Sequence, residues 1–402
     1  SAVINLGATS VTFANTATVG GTSTGAITLG DTTLANGVTL TVGTGRGNAI
    51  TLNAVSGTAG GSTSNLTLNS TGALNLSDTL GTDLGTVTIT QSAGVTFSTI
   101  SIATVALTDT SGDVTFNGNV TLTSLTTASQ DYNVIFNGSS NTITNAVTFS
   151  NSGTLTFGNG SGDSSTFNAG LTTTAPSQIN IGGTLQTSND AMSLGDSDTA
   201  IVLVANTTLN TGSAALTLNA TVNGGYTLTL NSTDATTFAG VVGGSTALTG
   251  INTNASGTVV FNTTAIETNG DQLYRENATI GGNITFTTGD NDLTFSGTVN
   301  SVSSTKTLDI VAGSGDVTFS GTVGGSEALG NTTIGVAGLT AGAIKVQGTL
   351  GITNSAASSI TGIISNGDTA AILTKAGDGT LTLSGDNTYT GATTVSAGIL
   401  SI

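Results

Sequence analysis

Residues 95–157 carry four short phrases of one kind: Val95-Thr96-Phe97, Val114-Thr115-Phe116, Val134-Ile135-Phe136 and Leu155-Thr156-Phe157. Successive Phe residues lie 19, 20 and 21 positions apart. Each phrase alternates apolar, intermediate and apolar positions, the pattern of a strand with one face buried. A recurrence every twenty or so residues, with strands and no helix between, marks a chain of stacked supersecondary units. Propeller blades need about 40–45 residues and four strands each, so this period is too short for them. Leucine-rich and ankyrin repeats need helices that the pattern lacks. The remaining solution is a coil of strands in which each repeat pairs in parallel with the next.

The pattern continues outward from these phrases. Later aromatic positions are Phe238, Phe261 and Phe286, spaced 23 and 25, then Phe295 and Phe319, spaced 24. The phrase Asp292-Leu-Thr-Phe-Ser-Gly-Thr-Val299 returns as Asp316-Val-Thr-Phe-Ser-Gly-Thr-Val323. Between them run apolar-Thr-apolar units such as Leu66-Thr67-Leu68 and Leu228-Thr229-Leu230. The fold predicted is therefore all-β: a single elongated parallel β-solenoid over 1–402, with 19–25 residues per coil. About 18 coils at the strand spacing of ~4.8 Å give a rod of roughly 85–90 Å. Phe97, Phe116, Phe136, Phe157, Phe238, Phe261, Phe286, Phe295 and Phe319 are its expected internal ladder. Neither residues 1–19 nor residues 393–402 read as a capping element, so the ends are expected to be uncapped strand edges.

Composition agrees. The 402 residues include 58 Gly, 1 Pro and no Cys, His or Trp, and only 7% are charged. Thr and Val suit a pleated surface, whereas Gly, Asn, Asp and Ser suit turns. At 36% hydrophobic the chain is not a disordered one. No apolar run approaches the ~18 residues that a membrane helix requires. Five basic against 22 acidic residues give a net charge of −17, which excludes nucleic acid and anionic lipid as natural partners.

Absence of His and Cys removes Ser-His-Asp and Cys-His nucleophilic chemistry and the commonest transition-metal ligands. The basic residues Arg46, Arg275, Lys306, Lys345 and Lys375 are scattered along the chain. No grouping of carboxylates with Arg or Lys, as sugar-cleaving β-helices require, can be placed. The chain is read as no enzyme, with no cofactor apart from calcium. For calcium the candidates are Asp196 with Asp198 and Asp290 with Asp292, since Ca²⁺ takes oxygen ligands from turns. The competing reading is that these residues simply form the turns. One segment is unusually charged: Glu267, Asp271, Tyr274, Arg275 and Glu276 fall within ten residues. It reads either as a solvated loop leaving the rod or as a contact loop, because Tyr and Arg anchor interfaces.

The last thirty residues are the most specific. Lys375 precedes Gly377 and Gly379, and Gly379-Thr-Leu-Thr-Leu-Ser-Gly385 follows. Asn387-Thr-Tyr-Thr-Gly391, Thr394-Val395 and Gly398 complete the order. This resembles the autotransporter-associated β-strand repeat, also called the passenger-associated transport repeat, over residues 373–402. The family closes its motif with Gly-Thr-Leu, where this chain has Gly398-Ile399-Leu400. The resemblance implies a β-helical passenger exported to the surface or exterior of a Gram-negative type of bacterium, and it transfers no catalytic residue. The family's translocator barrel does not fall within 1–402, so type V secretion is an expectation about the parent gene. Two functions are expected to compete: a rod stacking head-to-tail with copies of itself into surface or biofilm-matrix fibres, and an adhesin passenger holding cell-surface glycans or other cells.

Overall fold

The computed structural model describes residues 2–402. No helix occurs among them, and none is therefore long and apolar enough to cross a membrane. The strands are short, mostly of three or four residues. They stack in parallel as the turns of a β-solenoid, about 19 in all, and do not close into a barrel. Parallel pairing is obligatory here, because each coil brings the chain back in the same direction. The chain forms two compact units, residues 1–199 and 200–402.

In the first unit one face climbs from Ile4–Leu6 through Ile27–Leu29, Ile50–Leu52 and Leu74–Leu76 to Val95–Phe97. It continues through Val114–Phe116, Val134–Phe136 and Thr154–Phe157. A second face carries Val11–Phe13, Thr32–Leu34 and Val55–Gly57. A third carries Ala17–Val19, Thr39–Arg46 and Ser64–Ser70. Alternation within most three-residue strands buries the outer two side chains and leaves the middle one half-exposed, as in Val95–Phe97. Register puts Phe97 on Phe116 and Phe116 on Phe136. Their rings stack at 4.9 Å in both cases, with interplanar angles of 8° and 11°, and Phe136 lies 5.8 Å from Phe157. Phe149 and Phe167 meet Phe157 edge-on at 5.7 and 5.3 Å and close this part of the core.

The second unit repeats the scheme. One face runs from Ala200–Gly212 through Thr227–Ser232, Gly250–Thr253, Gln272–Tyr274, Leu293–Phe295 and Val317–Phe319. It ends at Thr380–Leu383 and Ile399–Ser401. Phe238 stacks on Phe261 at 5.6 Å, and Phe295 on Phe319 at 5.5 Å. Phe286, however, does not continue the column of Phe261. The residue in register with Phe261 is Ile280, whereas Phe286 pairs with Ile266 and Ile310 on another face. The rings of Phe261 and Phe286 are crossed at 89°. The cause is the corner at Gly281 and Gly282, both of whose amides donate to the Phe261 carbonyl. The 25-residue spacing from Phe261 to Phe286 therefore spans one coil plus a change of face. Tyr274 instead belongs to the separate column of Phe295 and Phe319, stacked on Phe295 at 5.1 Å.

Candidate functional site

The charged segment is not a loop leaving the solenoid. Ala265–Glu267 and Gln272–Tyr274 are strands in register with their neighbours. From 271 to 276 the side chains alternate strictly: Gln272, Tyr274 and Glu276 are buried, whereas Asp271 and Arg275 are exposed and Leu273 is half-exposed. Tyr274, expected in a contact loop, is thus a core residue, and Glu276 lies inside as well. The physical reason is period-two alternation, which overrides the polarity of individual residues.

The inward set forms a bonded cluster, as buried polar groups must. The Tyr274 hydroxyl donates to Gln272 Oε1 at 3.1 Å. Gln272 Nε2 donates to the Thr287 carbonyl at 2.9 Å and to Thr268 Oγ1 at 3.2 Å. The Thr253 hydroxyl donates to Glu276 Oε2. Burial pushes the Glu276 carboxyl above the usual glutamate range, against the pull of that hydroxyl bond and of the Arg275 charge. Burial also holds the Tyr274 phenol well above its usual value, and the neighbouring Glu276 charge adds to this.

The outward set lines a groove of about 300 Å³ with Thr227, Thr249, Asn252 and neighbouring backbone. Arg275 Nη1 donates to Asn252 Oδ1 and, at 2.7 Å, to the Thr253 carbonyl. These bonds fix the guanidinium over the preceding coil. Asp271 Oδ1 accepts the amide of Asp292 at 3.1 Å. A second groove, of about 210 Å³ in the first unit, is lined by Asn75, Ser77, Thr96, Ser98 and Asn117 among others and holds no charged group.

The calcium candidates lie in two places. Asp196 Oδ1 accepts the amides of Asp198 and Thr199 at 3.0 and 3.1 Å and the Thr199 hydroxyl at 2.9 Å. The bond from Asp198, first, and that from the Thr199 hydroxyl hold its carboxyl below the usual range. Asp290 Oδ1 accepts the Ser314 amide at 3.0 Å, and Asp292 Oδ1 accepts the Asp316 amide at 2.8 Å. Asp198 makes no comparable turn bond of its own beyond a 3.5 Å contact from Ser197. The Asp196, Asp290 and Asp292 carboxylates are thus engaged by turns and by the next coil. No three His, Cys, Asp or Glu residues converge among the described residues.

Lys375 is a feature whose role the sequence did not disclose. It sits at an inward position of Ile372–Ala376, in register with Ile352 and Val395, and is completely buried. Its ammonium donates to the carbonyls of Ala376 and Gly377, each at 2.7 Å, and of Ala397 at 3.3 Å. The three carbonyls come from two successive coils, so one cation ties both turns. Gly398 completes the clasp: its φ is 70°, and a Cβ there would collide with the Gly377 and Gly379 carbonyls and press on the Lys375 ammonium.

These coils define a β-solenoid repeat protein. Within it, residues 373–402 match the family model described as passenger-associated-transport-repeat, and that repeat supports an autotransporter passenger-type protein. The match points to a non-enzymatic protein of the secreted or cell-surface class of Gram-negative bacteria. No curated protein and no solved structure matches the chain.

Proposed function

We propose that the chain is a non-catalytic surface scaffold, a passenger solenoid whose work is mechanical. The observation that carries this is the way the transport repeat is built in. Leu373 and Lys375 pair with Leu350 and Ile352 of the coil before, and Thr380–Leu383 pairs with Ser358–Ile360, so the repeat continues the stack as further rungs. A parallel stack of apolar coils resists extension through backbone pairing along its axis and needs no disulfide. Coil-to-coil parallel pairing of the kind that joins Thr380–Leu383 to Ile399–Ser401 suits the same pairing between one copy and another. Copies joined head-to-tail form an open filament when the rotation does not close. Negative-stain electron microscopy across a concentration series, with and without Ca²⁺, tests this. Long unbranched fibres are expected. Particles that remain isolated at high concentration would overturn the filament and leave a spacer within a longer passenger.

The groove at Asp271, Leu273 and Arg275 favours a second reading, an adhesin passenger that holds glycans or other cells. Cell adhesion by the purified chain that fails on changing Arg275 would support it. Adhesion independent of Arg275 would remove this groove as the contact.

A further inference from the structure

We propose that the groove at Asp271, Leu273 and Arg275 binds an acidic saccharide, Arg275 taking the sugar carboxylate and Asp271 and Asn252 the adjoining hydroxyls. The first ground is an interruption in an otherwise uniform surface. The outward row on this face reads Thr208, Thr229, Asn252, Leu273, Thr294, Thr318, Thr340, Ser359, Thr382 and Ser401. Leu273 alone in that row is apolar. Asp271 and Arg275 flank that strand two residues either side of Leu273, so one coil offers an acceptor, an apolar patch and a donor in line.

The second ground is the state of the guanidinium. Both bonds that Arg275 makes through its side chain use Nη1. Its Nη2 and Nε make no bond to any described residue. That pair forms the planar fork that meets a carboxylate with two parallel hydrogen bonds. Shape and charge narrow the ligand class. About 300 Å³ lies at the lower end of small-molecule sites, enough for a sugar ring. The surrounding Thr229, Asn252 and Thr294 offer hydroxyl and amide partners along the axis, and Leu273 offers contact to the C–H face of a ring. Asp271 and the net charge of −17 oppose any anion, and a densely charged polyanion most, so the class favoured is a saccharide with a single carboxylate set among hydroxyls.

The biological sense of this site rests on the surface-scaffold reading, but its test does not, because binding is measured on the purified chain. Isothermal titration calorimetry with galacturonic acid, glucuronic acid and sialyllactose is expected to show saturable binding of at least one. That binding weakens with added salt and is lost when the carboxyl group of the probe is reduced. Arg275→Gln is expected to lose about tenfold or more in affinity, the scale of a charge-assisted hydrogen bond. Leu273→Thr restores the hydroxyl row, so it weakens binding while thermal unfolding stays as in the parent. No binding of any of the three probes, equal binding of the reduced probe, or Arg275→Gln binding like the parent would each overturn the proposal. Failure to form fibres would overturn the filament alone.

Discussion

Two aromatic columns of this molecule have nearly the same geometry and opposite chemistry. In the first unit Phe97, Phe116 and Phe136 stack at 4.9 Å with no polar group among the rings. In the second unit Tyr274 and Phe295 stack at 5.1 Å, but Tyr274 is bonded to buried Gln272, and Glu276 lies one inward position further along. Stacking alone is therefore enough to build a coil, and the polar cluster is an addition to it. The first column holds by area and dispersion. The second depends also on satisfied hydrogen bonds, and it fails differently when one partner is removed.

The largest effect is expected from breaking the dry column. Phe116→Ala removes a ring that is completely buried between two others and should cost about 3–5 kcal/mol. A stack of repeats unfolds by neighbours, so a single global transition is the wrong reading of it. Hydrogen exchange should show faster exchange in Val95–Phe97 and Val134–Phe136 while the second unit keeps its protection. Uniform loss across both units would contradict nearest-neighbour behaviour. Next is the clasp. Lys375→Met keeps the apolar stem but leaves the Ala376 and Gly377 carbonyls without their charged donor, at a cost of about 2–3 kcal/mol. Limited proteolysis should then cut first between residues 376 and 398. A cleavage pattern like the parent's would show that the cation is not what joins the two turns.

Much of this was legible in the sequence and some was not, for identifiable reasons. The Phe97–Phe157 ladder was legible because those residues share one face, so their spacing equals the coil length. Phe286 was misplaced because Gly281 and Gly282 turn the chain onto another face without changing the rhythm of apolar residues. Residues 267–276 were read as a loop from their charge. Alternation of Gln272, Tyr274 and Glu276 against Asp271, Leu273 and Arg275 was the signal that could have placed them on a strand. For Lys375 the motif gave the residue but not its direction. Its two-residue offset from buried Leu373 could have shown that it points inward.

The polar column is expected to respond to pH where the dry one does not, because only it holds titratable groups. The Glu276 carboxyl is raised by burial above its ordinary 4.5, so the folded state favours the protonated form. The associated stability is fully present below the unfolded value and is lost as pH rises through the higher folded value. Arg275 is the charged neighbour that pulls it down, and Glu276 in turn raises the neighbouring Tyr274 phenol. Glu276→Gln keeps the shape and removes the charge. The variant should gain stability at neutral pH relative to the parent and show a flatter pH profile between pH 4 and 8, measured by denaturant unfolding of the second unit's coils. A profile as steep as the parent's would place the titration elsewhere.

The smallest expected effect separates stacking from bonding within the polar column. Tyr274→Phe preserves the ring over Phe295 and deletes the hydroxyl that donates to Gln272 Oε1. Gln272 Nε2 keeps its bond to the Thr287 carbonyl, so the amide stays in place with one buried acceptor unmet. The expected cost is about 1 kcal/mol, well under that of Phe116→Ala. Hydrogen exchange at Gln272–Tyr274 and Leu293–Phe295 should rise slightly while the first unit is unchanged. A variant as stable as the parent would mean that the second column is held as the first is, by its rings. A loss as large as Phe116→Ala would mean that the hydroxyl organises the whole cluster of Thr268, Gln272 and Thr287.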